Sequence, residues 1–413
     1  MMAAVDLAWI AVSALLGGLV LLALLPTAYL GFLAVLAGRH TTTTTTKRDL
    51  RFAIVVPAHN EEAGISSTVE SLLGVEWPRD RFEVVVVADN CVDTTAAVAR
   101  AAGARVLERH NDTLRGKGYA LELAFDTLLQ EGTVDAVVVV DADTVVSPNL
   151  LAAFATRIEA GALAMQAEYG VRNVHASWRT ELMALALGMF HALRNNARER
   201  LGLSAGLRGN GMCFTRECLQ RFPHKAYGLV EDVEHGLALG RGGVRIVAVV
   251  DAFVLGEMVS GGKASESQRR RWEDGRAKLK RDVLPGVVRD AVRTRSLLLL
   301  DLAIDLLVPP LSSIALLVVA VLALSAGRAV LGAVAGFPVV DAIAVCSLLP
   351  AIGLKLYVLR GMQLSGLGWG AFVVVAKAPA YVAWKVWLKL RGTPKADGWV
   401  RTARESEQPP SAS

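Results

Sequence analysis

Two carboxylates, Asp141 and Asp143, directly follow the valines Val137–Val140. Side chains two apart in a strand point to the same side, so a strand over 135–141 would aim both acids at one point. Carboxylate oxygens suit Mg2+ or Mn2+, which take one or two acids together with substrate phosphate oxygens. Such a pair serves a reaction in which a diphosphate leaves. A second acidic pair, Glu231-Asp232, stands at a predicted helix start. The macrodipole alone would favour acids there, and it would also keep Asp232 ionised and therefore a weak base. The chemical reading is a general base for an acceptor hydroxyl.

Other residues fit the same reaction. Pro57-Ala58-His59-Asn60-Glu61 and Asp89 follow two apolar runs. In open α/β sheets, ligands bind beyond the carboxyl ends of strands. There a carboxylate can accept hydrogen bonds from a ribose or a base; the plain alternative is helix capping by Asn60, Asn90 or Asp93. Arg115-Gly116-Lys117-Gly118 opens a helical stretch, where backbone N–H groups and a cation suit an anion. Gln268, Arg271 and Trp272 lie at i, i+3 and i+4 and share one helix face, while Arg269 and Arg270 point elsewhere. Arg271 could grip a phosphate and Trp272 stack on a sugar ring. The plain alternative is a basic juxtamembrane anchor. The histidines form no metal-ligand spacing, and the cysteines Cys91, Cys213, Cys218 and Cys346 form no C-x-x-C pair.

These residues need elements to position them. The strands expected are 51–57, 82–88, 104–107, 135–141, 162–168, 211–215 and 244–250. Runs such as Val84–Val87 imply strands buried on both faces, as in a mostly parallel α/β sheet. The 413 residues are 53% hydrophobic and 20% charged, more apolar than an ordinary soluble chain. The excess sits at the two ends. Residues 7–38 read as a retained transmembrane anchor with no basic residue before it and Arg39, Lys47, Arg48 and Arg51 after it, which places the next domain in the cytoplasm. Residues 39–50 are a Thr-rich tether and 51–295 the α/β domain, in which Leu182–Phe190 is too short to cross a membrane and reads as a core or interfacial helix. Residues 296–390 hold two further spans, in 296–326 and 339–359. Asp301, Asp305 and Pro309-Pro310 put the first part of 296–326 in the interface, and 367–388 reads as an amphipathic surface helix. Residues 391–413 form a basic, then disordered, cytoplasmic tail. A formal charge of +5 is too mild to imply nucleic acid.

Taken in order, the motifs resemble the membrane-bound inverting glycosyltransferases of glycosyltransferase family 2, the group of the cellulose, hyaluronan and poly-N-acetylglucosamine synthases. Pro57-Ala58-His59-Asn60-Glu61 looks like the family's Pro-x-x-Asn-Glu, with His59 where an aromatic is common. Asp89 falls at its first aspartate, Asp141-Ala142-Asp143 at its D-x-D, Glu231-Asp232 at its acidic pair and Gln268-x-x-Arg271-Trp272 at its Q-x-x-R-W. The resemblance implies a GT-A type nucleotide-sugar-binding domain with flanking transmembrane helices. It implies that Pro57, Glu61 and Asp89 hold the nucleotide, with Lys117 near the diphosphate. Asp141 contacts the donor and, with Asp143, an Mg2+ or Mn2+ ion, and Asp232 is the base. Arg271 closes on the diphosphate. Trp272, Gln268, Glu231 and the loop Gly209-Asn210-Gly211 face the acceptor. The expected partners are a nucleotide-sugar donor (UDP-sugar), a saccharide or lipid acceptor, membrane lipids, and a second copy or a secretion partner. The expected site of action is the plasma membrane, with the product a β-linked envelope polysaccharide. The alternatives are one sugar added to a lipid, as in the similar ceramide glucosyltransferase, and an inactive membrane scaffold.

Overall fold

A computed structural model describes residues 2–38, 47–338 and 340–391; within these, the side chains of 2–5, 262–265, 267–271 and 388–391 lie outside the description. The Thr41–Thr46 tether and the tail beyond Arg391 also fall outside the described residues.

Eight strands form one sheet: β1 (Phe52–Ala58), β2 (Phe82–Asp89), β3 (Arg105–Arg109), β4 (Ala136–Val139), β5 (Thr144–Val146), β6 (Ala164–Val171), β7 (Met212–Thr215) and β8 (Ile246–Gly256). Their order is β3-β2-β1-β4-β7-β6-β8-β5. β3, β2, β1 and β4 run parallel, as do β6 and β8. β7 is antiparallel to both β4 and β6, and β5 is antiparallel to β8. The valine runs explain the parallel half. Phe52, Ile54 and Val56 enter the core on one face of β1, and Ala53 and Val55 enter the core on the other. No polar residue intervenes because neither face meets water.

Within this domain the helices are α2 (Ile65–Leu73), α3 (Thr95–Ala101), α4 (Lys117–Glu131), α5 (Leu150–Glu159), α6 (Trp178–Gly188), α7 (Asn196–Arg200), α8 (Arg216–Arg221), α9 (Glu231–Arg241), α10 (Gly262–Asp282) and α11 (Leu284–Thr294); α1 (Met2–Leu36) precedes them. A π-helical turn, Met189–Asn195, joins α6 to α7 without a break. The C-terminal helices are α12 (Leu297–Leu307), α13 (Leu311–Ala335), α14 (Ala342–Cys346), α15 (Leu349–Leu364), α16 (Gly370–Ala376) and α17 (Ala378–Arg391).

Among the described residues, three helical stretches are long and apolar enough to cross a membrane: Asp6–Leu36, Leu311–Ala335 and Ala342–Leu364. Gly31 of α1 faces Gly353 of α15 so closely that a Cβ on Gly353 would lie 2.7 Å from the Thr27 carbonyl oxygen. Small residues of this kind let apolar helices approach backbone to backbone.

Three differences from expectation bear on the site, besides the last strand, expected over 244–250, which runs on to Gly256. β4 ends at Val139, so Asp141 and Asp143 stand on the turn into β5, a three-residue strand too short to read from periodicity. α12 belongs to the catalytic domain, because Leu299, Leu302 and Leu306 pack with Val230, Leu237, Leu279 and Val287 of the α9–α11 region. Pro309-Pro310 then separates it from the span α13. The segment 367–388 is two helices, α16 and α17, meeting at Lys377. Lys377 pairs with Glu181 at 2.7 Å and Lys385 with Glu273 of α10 at 2.6 Å, so these cations bind the catalytic domain.

Candidate active site

The carboxyl ends of β1, β2 and β4 open into one cavity of about 1440 Å3. Pro57 and Glu61 line it at the end of β1, and Asp89 lines it at the end of β2. Both strands leave through an asparagine in the left-handed region, Asn60 at φ 55° and Asn90 at φ 52°, a conformation asparagine tolerates better than most residues. Asn60 Oδ1 accepts the Val92 N–H at 2.9 Å, and Asn90 Oδ1 accepts the Asn111 N–H at 2.7 Å. These residues shape the loops and do not cap the next helices, which start at Ile65 and Thr95. Asp93 does the local work before α3, accepting the Thr95 N–H at 3.0 Å. Asp89 is buried, and its Oδ1 accepts from Arg109 at 2.7 Å and Asn90 at 3.2 Å.

The D-x-D turn is braced from both sides. Thr68 donates to the Ala142 carbonyl at 2.9 Å, and Asn210 Oδ1 accepts the Asp141 N–H at 3.2 Å. Asn210 Nδ2 donates to Thr144 Oγ1 at 2.9 Å. Asn210 is fully buried and does not line the cavity, and neither does Gly211. This corrects their expected place facing the acceptor: Asn210 braces the turn from behind, and the Gly211 N–H donates to the Val139 carbonyl at the end of β4 at 2.9 Å. Gly209 does line the cavity, at φ 78°. A Cβ there would lie 3.4 Å from Lys117 Nζ and 3.5 Å from Asp232 Oδ2.

Lys117, at the start of α4, donates to Asp141 Oδ1 at 2.5 Å and to the Gly209 carbonyl at 2.6 Å, with Glu231 Oε1 at 3.9 Å. Burial opposes its charge, but Asp141, Glu231 and Asp232 outweigh it and raise the ammonium's pKa. Burial also pushes Glu231 up to about 7 and raises Asp232, with Arg208 the first of the charges that oppose the rise on Asp232. The helix start was expected to make Asp232 a weak base. Desolvation outweighs the dipole, and Asp232 is a stronger base than its position on α9 implies. Trp272 of α10 is half-buried and lines the cavity. Gln268 and Arg271 stand on α10, but their side chains lie outside the described ones.

Three guanidiniums in this region escaped the sequence reading. Arg208 and Arg276 line the cavity with Asp232, and the buried Arg194 pairs with Asp305. Asp305 of α12 accepts from Arg194 at 2.5 Å and lies 3.5 Å from Arg208. Asp301 accepts from the fully buried Arg198 at 2.8 Å, and Arg198 also donates to the Tyr29 hydroxyl of α1 at 2.6 Å. The visible signal was Asp301 and Asp305 at i, i+4 in an otherwise apolar helix. Buried acids on one face require cationic partners.

Asp141 and Asp143 both line the cavity, and their oxygen donors suit a divalent cation. Among the described residues no group of three potential ligands gathers around one point. Two carboxylates completed by phosphate oxygens and water is the common Mg2+ arrangement, and the turn fits it.

Residues 50–275 match the family model described as glycosyltransferase like family 2. A probable glycosyltransferase of Bacillus subtilis, YdaM, is 24% identical over 238 residues, covering 54% of this chain and 55% of that protein. A beta-monoglucosyldiacylglycerol synthase of Synechocystis is 27% identical over 229 residues, covering 54% of this chain and 47% of that protein. The chain thus spans about half the length of the curated relatives it matches. Among solved structures, the mannosyltransferase PcManGT of Pyrobaculum calidifontis, in complex with GDP-Man and Mn2+, superposes with a TM-score of 0.52. That match covers 85% of this chain and 98% of that one at 19% identity, a likeness of fold. The domain is of the GT-A type.

Proposed function

The chain belongs to glycosyltransferase like family 2, and from that premise we propose that it is a membrane-bound inverting glycosyltransferase moving a sugar from a nucleotide diphosphate sugar to a lipid acceptor. The observation that carries the acceptor class is the shared wall of site and membrane bundle. Leu187 and Phe190 line the cavity. Leu185, Met189 and Leu193 of the same continuous helix pack with Leu30 and Leu33 of α1 and Tyr357 of α15. An acceptor whose tail lies among these helices reaches the base along that helix. The glycolipid relative supports the same class.

In this reading Pro57, Glu61 and Asp89 hold the nucleotide of a UDP-sugar. Asp232 takes the proton of the acceptor hydroxyl as its oxygen bonds to the anomeric carbon. The bond from that carbon to the diphosphate breaks on the opposite side, and the nucleoside diphosphate leaves. An α-linked donor gives a β-linked product. Lys117 holds Asp141 and the Gly209 carbonyl, which fixes the carboxylate beside the leaving group. Asp141 and Asp143 would hold Mg2+ or Mn2+, which supplies positive charge to the diphosphate when bound. The three spans keep the domain at the cytoplasmic face of the plasma membrane.

A second reading, transfer to a growing β-linked polysaccharide with a second copy or a secretion partner, is favoured by the Gln268-x-x-Arg271-Trp272 spacing. Release of UDP from a panel of UDP-sugars, with Mg2+ or Mn2+ and diacylglycerol micelles, tests both. One glycolipid product supports the lipid acceptor, and a ladder of oligomers supports the polymer. No nucleotide release with any donor would return the chain to an inactive scaffold.

A further inference from the structure

Among the described residues, the Asp232 end of the cavity gathers more cations than carboxylates. Arg194, Arg198, Arg208, Arg276 and Lys280 gather there against Asp232, Asp301 and Asp305. The carboxylates are already engaged. Asp305 Oδ1 serves Arg194 at 2.5 Å and Arg198 at 3.4 Å, and its Oδ2 faces Arg208. Asp301 Oδ2 accepts from Arg198 at 2.8 Å and from the Ser204 N–H at 3.2 Å. Asp232 Oδ1 accepts the Val233 N–H at 2.8 Å. Arg194 Nε is buried with no hydrogen-bond partner.

Arg276 is half-buried, lines the cavity, and makes no hydrogen bond or ion pair with a described residue. Burial and the neighbouring Arg194 disfavour its charge more than the nearby Asp305 and Asp232 favour it. An unpaired guanidinium in a partly desolvated cleft is unfavourable unless an anion meets it. Its charged neighbours are Asp305, Asp232, Arg194, Arg208 and Lys280, and it shares the cavity wall with Asp232 and Arg208. The D-x-D side has its own cation in Lys117. Next to Arg276 and Arg208 the wall turns apolar, and the Arg208 guanidinium lies 4.1 Å from the centre of the Phe190 ring.

We infer that Arg276, with Arg208 beside it, forms a subsite for a phosphate group carried by the lipid acceptor, close to the hydroxyl that receives the sugar. This rests on the lipid-acceptor reading above and narrows it to a phospholipid-type head group with a free hydroxyl. The phosphate is bound and not chemically altered. The proton still goes from the hydroxyl to Asp232, and the nucleoside diphosphate still leaves. A planar guanidinium suits a phosphate because it offers paired donors in one fork.

The test compares dioleoylphosphatidylglycerol with dioleoylglycerol in mixed micelles, using the purified full chain and whichever UDP-sugar releases UDP. The phosphate-bearing lipid should be used better by about 10–100-fold in kcat/KM, the scale of one or two charged hydrogen bonds. Arg276→Gln should erase that preference through the acceptor KM and leave the donor KM unchanged, and Arg276→Lys should restore part of it. Equal use of both lipids by the wild type would overturn the proposal. So would a rise in donor KM alone, which would assign Arg276 to the leaving diphosphate.

A second arm does not depend on transfer: glycerol phosphate should raise the wild-type Tm more than it raises that of Arg276→Gln. If no donor releases UDP, the transfer reading falls while this arm still decides the subsite. Equal protection by inorganic phosphate, with no preference between lipids, would mean that the site takes a free anion and would overturn the lipid assignment.

Discussion

At the β1–β2 end of the cavity, Asp89 meets Arg109 only 20 residues away, and the asparagines after each strand close loops to residues 21 and 32 positions away. At the base end, Arg208 meets Asp305 across 97 residues, and Arg198 meets Tyr29 across 169. The first end is local chain geometry: Asp89 is buried against Arg109, and Asn60 and Asn90 beside it are half-buried. The second is a buried charge network assembled from α1, the π-helical turn, α7, the loop before β7, α9, α10 and α12, in which burial lowers the Arg208 pKa and the surrounding arginines hold the Asp305 carboxyl below its ordinary range. The contrast teaches that donor binding and base chemistry can fail separately: a lesion at one end should leave the other standing.

The largest expected effect is at the proposed base. Asp232→Asn should lower kcat by about 10^2–10^4-fold, the usual range for a general base, while donor affinity, followed by nucleotide titration, stays within about twofold. Parallel loss of both would erase the distinction between the ends. Next comes Asp305→Ala, which strips the shared counter-charge from Arg194, Arg198 and Arg208. Breaking a buried pair of this kind costs about 3–5 kcal/mol. The loss should appear as a large drop in Tm in detergent, and a neutral result would mean that the network carries no stability.

Smaller is Asp89→Ala. It should raise the donor KM by about 10–100-fold through the lost charged hydrogen bonds, with little change in acceptor KM. A matching rise in acceptor KM would join what the comparison separates.

The mildest effect is the response to pH. Asp232 must be ionised to accept a proton, and burial raises its pKa. The rate constant kcat/KM should therefore fall about tenfold per unit as pH drops below that raised value. The contribution of Glu231 to stability runs the other way. Glu231 rises from 4.5 to about 7 on folding, so the folded state binds its proton more tightly than the unfolded chain does. That contribution is full below pH 4.5 and is lost as pH rises through 7. The wild-type Tm should therefore fall relative to that of Glu231→Gln as pH rises through 7, a difference that cancels the opposite contribution of the buried His191, His224 and His235.

What the sequence made legible follows the same division. The strand ends at Pro57 and Asp89 were visible because an apolar run followed by polar residues is a local pattern. The same logic misplaced Asp141 and Asp143, since it extended β4 two residues into a turn held by Thr68 and Asn210. Asn210 belongs to a glycine-flanked loop whose exposure cannot be read from residue types, and its burial emerges only when β7 docks on β4 and β6. Arg208 looks like an ordinary surface cation until α12 brings Asp305 to it, and Arg276 until α10 sets it in the cavity wall. The direction of the Asp232 shift was missed for a related reason: a helix start is a local feature, and the desolvation that outweighs it is not.

The placement of α12 also bears on how the enzyme can be handled. Its apolar face and its two aspartates belong to the catalytic unit, although its composition reads as the beginning of the membrane bundle. A soluble fragment cut at residue 296 would keep every motif that names the family and lose both aspartates that balance its buried arginines. The catalytic module is therefore not portable at its apparent boundary, and the shortest fragment that keeps its charge balance runs to the prolines at 309 and 310.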